Sequence, residues 1–198
     1  MMLLPTTLPA PTPDLGHTRL CPALPERLAV QVLRALRSAP HTPTQHVDAS
    51  RGHQLWRYGW EPGTDCSDLG HALLRDLPRL IGRPLRLGPL VSDHHKKGAF
   101  IDPFDARTES FPLAPLPPEL GPAAYLVELH LVTQPWPATW GGRLSRLDPD
   151  AAPLTTAPDW NTLDLFDLTH GATFSRPLLE HHVGVTAGFT LMTTLHAI

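Results

Sequence analysis

The chain has 198 residues, of which 41% are apolar and 18% charged, with a formal net charge of -3. That length suits one domain with a full core, and the near-neutral balance gives no electrostatic case for nucleic acid or an acidic membrane surface. No apolar run is long enough to span a bilayer, and Met1–Pro5 carry neither a basic region nor a long apolar stretch, so neither a membrane span nor a secretory leader is expected. Two cysteines, Cys21 and Cys66, lack any motif of an activated thiolate. They point to a cytoplasmic chain with free thiols, with a single disulfide as the other option. Twenty-four prolines favour short strands and ordered loops over long helices.

In chain order, residues 1–18 are rich in Pro and Thr and lack periodicity, which predicts an extended or disordered lead-in before a single domain over 19–198. Residues 25–37 read as a helix: Pro25 suits its first turn, and Leu28, Val32, Leu33 and Leu36 share one face. Residues 38–52 are polar and turn-rich. His53–Trp60 reads as a strand centred on Leu55 and Trp56. Thr64–Asp68 supplies N-cap residues for a second helix with Leu69, Leu73, Leu77 and Leu80 on its buried face and Gly82 as its stop. Arg83–Val91 is expected to be a short strand, and Ser92–Lys97 a polar loop. Gly98–Asp105 follows, then a loop over Phe111–Pro122 with five prolines in twelve residues.

The most informative stretch is Tyr125–Phe166. Tyr125–Val132 alternates well enough for a strand with one buried face. Trp136-Pro137-Ala138-Thr139-Trp140-Gly141-Gly142-Arg143-Leu144 predicts a tight turn or bulge at the paired glycines. After a loop over Arg146–Pro158, Asp159–Phe166 holds a second alternating strand that continues to Leu168. Phe189–Leu195 is expected to be the last strand. No internal repeat is visible.

Trp136, Trp140, Gly141, Gly142 and Leu144, followed by Asn161, Leu163 and Phe166, resemble the barrel core of the Fe(II)/2-oxoglutarate-dependent oxygenases. There a hydrophobic strand leads to a W…GG-x-L turn, and an N-x-L-x-x-F strand leads towards the distal metal ligand. The likeness covers residues 98–198. It implies an α+β fold: a double-stranded β-helix (jelly roll, as in cupins) with two N-terminal helices beside it. It also implies an iron site of two histidines and a carboxylate, with an Arg or Lys gripping 2-oxoglutarate.

Those ligands are hard to find here. The H-x-D position falls on Pro103-Phe104-Asp105, where proline has no lone pair to offer. Phe174–Pro177 contains no distal histidine, and no Arg or Lys occurs from Pro177 to Ile198. The only literal H-x-D, His46-Val47-Asp48, lies before the barrel and reads as a solvated loop. The expectation is therefore a catalytically silent barrel with no catalytic residue, no cofactor and no metal. The alternative is an active hydroxylase with a shifted register, using Asp105, His170, His181 or His182.

Other clusters have two readings each. Asp93, His94, His95 and Asp102 could bind a divalent cation, but Lys96 and Lys97 beside them favour a solvated loop. His181 and His182 would point to opposite faces of a strand. Trp136, Trp140 and Trp160 are either core packing or the walls of a groove for a peptide, with Arg143 or Arg176 for a carboxylate. The short barrel resembles the truncated hydroxylase-like accessory proteins of ribosomal peptide natural-product pathways (the crocagin type). That implies a peptide or protein partner, such as a precursor peptide, with a homodimer as a further expectation. A cupin-like small-molecule binder is the third reading.

Overall fold

The computed structural model describes residues 16–43, 56–60, 76–77, 80–95, 101–107, 109–110, 114–148, 150, 153–176 and 188–198. His46–Asp48, Cys66, Lys96, Lys97, His181 and His182 lie outside them. The strands are β1 (His17–Leu20), β2 (Thr42–Pro43), β3 (Trp56–Gly59), β4 (Leu85–Leu87), β5 (Val91–His94), β6 (Ile101–Asp105), β7 (Glu109–Ser110), β8 (Ala114–Pro115), β9 (Ala123–Val132), β10 (Leu144–Arg146), β11 (Leu154–Thr156), β12 (Trp160–Asp167), β13 (Thr173–Arg176) and β14 (Gly188–Ala197). All pairings are antiparallel. A large sheet runs β1-β12-β9-β14-β5-β3-β2, with β4 also on β14, and a smaller one runs β11-β10-β13-β6. This is the expected double-stranded jelly roll.

Helix α1 (Glu26–Ser38) matches the expected first helix. The backbone carbonyl of Pro25 accepts from Leu28 and Ala29, and Glu26 and Arg37 suit the two ends of the helix dipole. Ala39 turns extended just before Pro40, where a helix cannot continue. Of the expected second helix, residues 76–77 and 80–81 are described and helical, and Leu77 is fully buried.

Two faces of the large sheet bury two cores. On the outer face, Ala29, Val32, Leu33 and Leu36 of α1 join Val127, Leu129 and Leu131 of β9, Leu163 and Leu165 of β12, and Leu191 of β14. Each of the Val and Leu side chains contributes about 1.5–3 kcal/mol on burial. On the inner face, Leu126, Phe166 and Met192 meet Leu144 and Phe174 of the small sheet.

Several expectations change. Residues 92–95 of the expected polar loop are not loop: β5 lies within the large sheet, with Ser92, Asp93 and His95 all buried. Asp93 and His95 are therefore interior groups, which removes the solvated-loop reading for them. Arg83–Val91 divides into β4 and the start of β5, because Gly88 leaves the ladder and its N–H goes to the Thr194 carbonyl. The loops expected at 111–122 and 146–158 contain β8, a 3₁₀ turn (Pro118–Leu120) and β11. His17 and Thr18, read as lead-in, pair with Phe166 and Leu165. The turn after β9 does use its glycines, Gly141 and Gly142, at φ 71° and 67°.

Candidate functional site

Strand register builds the site. Because side chains alternate across a strand, Leu126, Glu128 and His130 of β9 all turn into the barrel. Partners in register then line up across the inner face. One row runs Arg19, Asp164, Glu128, Met192. The next runs Thr162, His130, Thr190, Asp93, Arg57. The inner face is thus apolar at Leu126 and Phe166 and turns ionic one step further along β9, at Glu128 and Asp164.

Asp164 and Glu128 are directly opposed like charges, an unfavourable pair unless cations intervene. They do. Arg19 grips Asp164 with Nε at 2.7 Å and Nη2 at 2.6 Å. Arg176 crosses from β13 in the small sheet to place Nη2 at 2.6 Å from Glu128 Oε1. Arg57 forks onto Asp93 at 2.5 and 2.7 Å. Three interior carboxylates therefore face three guanidiniums one to one. Arg176 also stands between two of them, with Nη1 at 3.9 Å from Asp93 Oδ2.

A hydrogen-bonded chain runs through the same space. Asp164 also accepts from His17 Nε2 at 2.8 Å and His130 Nε2 at 3.0 Å. His130 Nδ1 meets Thr190 Oγ1 at 2.8 Å, and Thr190 Oγ1 meets His95 Nε2 at 2.6 Å. A carboxylate can only accept, so His130 carries its proton on Nε2. The Thr190 hydroxyl then bridges His130 Nδ1 and His95 Nε2. Burial works to raise the Asp164 pKa, yet the bonds from Arg19, His130 and His17 hold it far below the usual carboxylate range. Burial, reinforced by the Arg176 charge, pushes His95 well below its ordinary value, so it is neutral.

The chain opens on a cleft. The His95 ring lies edge-on to Trp136, with centroids 5.2 Å apart. At its other end Arg19 reaches the surface, about a third exposed. Trp136, Arg19, Gln134, Asp159 and Trp160 line an open cleft of about 510 Å³. Trp136 is held by its indole N–H on the Gly141 carbonyl, 2.8 Å, and by an edge contact with Trp140. Trp160 is aimed by a bulge. Asn161 adopts φ 51°, and its side-chain amide clamps both the N–H and the C=O of Leu24 at 2.9 and 2.7 Å.

Of the sequence candidates, Trp136 and Trp160 come together in this cleft. Trp140 backs Trp136 from behind, and Arg143 is half-buried just ahead of β10. Arg176 lies 3% exposed inside the barrel, away from the cleft. Pro103 and Asp105 fall in β6, and His170 ends a 3₁₀ turn (Leu168–His170).

Two packed antiparallel sheets, helix α1 on the outer face of the larger one, and a polar mouth at the turn after β9 identify the architecture. The chain has the fold of the 2-oxoglutarate/Fe(II) oxygenases. A Burkholderia pseudomallei oxidoreductase of the 2OG-Fe(II) oxygenase family superposes with TM-score 0.66 at 13% identity, over 91% of this chain and 85% of that one. A Pseudomonas putida prolyl-4-hydroxylase gives 0.63 at 14% identity, over 93% and 94%. A Trichoplax adhaerens prolyl hydroxylase, in complex with a hypoxia inducible factor oxygen degradation domain peptide fragment, gives 0.65 at 12%, over 91% and 83%. No family model and no curated protein matches the sequence.

Oxygenase chemistry asks for two imidazoles and a carboxylate with lone pairs converging on one point. The described interior groups do not offer this. Both nitrogens of His130 are engaged, Asp164 takes four donors, and Asp93 and Glu128 are held by arginines. No group of three or more metal-ligating side chains occurs among the described residues. Arg57 and Arg176 each pair with a protein carboxylate, Asp93 and Glu128. Among the described residues, then, no set of side chains converges on a point for iron; His181 and His182 lie outside them.

Proposed function

We propose that this chain uses the oxygenase fold as a binding scaffold, silent as an iron enzyme, and that it holds a peptide or protein segment in the tryptophan-walled cleft. The observation that carries the reading is the internal pairing of the barrel: among the described residues Asp164, Asp93 and Glu128 are each matched by a guanidinium of the same chain. The cleft supports the choice of ligand. It is concave, lined by Trp136 and Trp160, and has polar groups at its rim, the composition favoured for binding extended chains. A fold neighbour in complex with a peptide fragment adds support by analogy. A precursor peptide of a ribosomal natural-product pathway is the specific partner suggested by the barrel's resemblance to the accessory proteins of such pathways.

The test is an anaerobic titration of metal-stripped protein with Fe(II) and 2-oxoglutarate, read by calorimetry and visible absorbance. No stoichiometric uptake is expected. One equivalent of iron with a metal-to-ligand band in the visible overturns the reading and returns the chain to the active hydroxylases.

A further inference from the structure

The charges around Trp160 specify what the cleft takes. Resting on the peptide-binding reading above, we infer that the bound segment presents a basic side chain, lysine or arginine, against the face of Trp160. Both N–H groups of Trp160 donate to exposed carboxylates: the backbone N–H to Asp159 Oδ1 at 2.7 Å and the indole N–H to Glu26 Oε2 at 3.2 Å. A carboxylate on the indole N–H enriches the ring in electrons, and an electron-rich indole face is the best side-chain partner for a cation.

Arg19, the cleft's own cation, is already neutralised. It forks onto the buried Asp164, its third bond goes to the Ala157 carbonyl, and the Asp164 bond raises its pKa against the effect of burial. Asp159, which also lies in the field of Arg19, and Glu26 are the two exposed carboxylates bonded to Trp160. An acidic segment would meet both of them. A neutral one would fill the cleft without using either. A lysine or arginine stem lies along Trp160 and Pro158 while its head reaches the carboxylates.

The test pans a random linear peptide phage library against the immobilised full chain. A parallel selection uses the E26Q/D159N double variant, with melting temperature verified first and the single variants as second samples. Enrichment of lysine or arginine at one position is expected on the wild type. The synthetic consensus peptide should bind the double variant about tenfold more weakly. Replacing its basic residue by norleucine should cost a similar factor on the wild type and almost nothing on the variant. Acidic or uncharged selected sequences, or equal affinity for both proteins, overturn the basic-residue inference and leave peptide binding standing. A selection that yields no binder on either protein sinks the peptide-binding reading itself, and the inference with it.

Discussion

Replacing Asp164 by asparagine tests the interior network at its hub. The side chain is fully buried and accepts from Arg19 twice, from His17 and from His130. Asparagine keeps the shape and one acceptor oxygen but loses the charge. Removing one partner of a buried ion pair typically costs about 3–5 kcal/mol. The lower end applies, because Arg19 is about a third exposed and can turn to solvent. A loss of about 3 kcal/mol corresponds to a fall of about 6–12 °C in melting temperature for a chain of this size. The pH dependence has a definite sign. The folded pKa of Asp164 is depressed below the unfolded value, so its stabilisation is present above about pH 4 and is lost as pH falls further. The loss amounts to about 1.4 kcal/mol per pH unit. Thermal melts of wild type and D164N from pH 7 to pH 2.5 should therefore converge on the acid side. A difference below about 3 °C at neutral pH, or a gap that stays constant through pH 3, refutes the assignment of Asp164 as the hub.

The remaining predictions concern one interaction each. R176M should cost about 3–5 kcal/mol by stranding the fully buried Glu128, whereas R176M/E128Q should recover most of that loss in a denaturant double-mutant cycle. N161A should lose about 2 kcal/mol, from two hydrogen bonds to Leu24 and a left-handed backbone at φ 51°; N161G, which tolerates that backbone, should melt above N161A. G188A should cost about 2 kcal/mol or more, because the residue sits at φ +143° and a Cβ there would lie 2.6 Å from Val132 Cα. Urea unfolding measures all three.

The sequence made the outer core legible and concealed the inner one. The 3.6-residue spacing of Val32, Leu33 and Leu36 and the alternation from Tyr125 to Val132 are local patterns, and both elements appear as expected. Glu128 and His130 obey the same alternation, and an alternating strand normally turns its polar face to water. In this barrel both faces are buried, so the polar set became an interior network that periodicity cannot distinguish from a solvated surface. Asp93 and His95 misled for a related reason. Four charged or imidazole residues in succession, His94–Lys97, suggest a loop, whereas pairing with Arg57 and Thr190 sustains a buried strand end. Trp136 and Trp160 were identifiable as candidates by residue type. Their meeting in one cleft depends on the bulge at Asn161 and the paired glycines after β9, which only the folded chain brings together.

The ionic interior does not earn its place through stability. Buried ion pairs exchanged for well-packed apolar side chains are often neutral or stabilising, and the outer core already supplies a large apolar contribution. What the network does fix is position. Starting from one cleft wall, Trp136 touches His95, and hydrogen bonds continue through Thr190, His130 and Asp164 to Arg19 in the opposite lining. On the proposed function, that continuous backing holds the cleft in its binding shape before a ligand arrives, which reduces the ordering cost of association. D164N breaks the chain without touching either tryptophan. It should therefore weaken peptide binding at temperatures well below its melting point, with the loss appearing mainly in the dissociation rate. Unchanged kinetics in a folded D164N sample would leave the network as internal charge matching alone and detach it from the cleft.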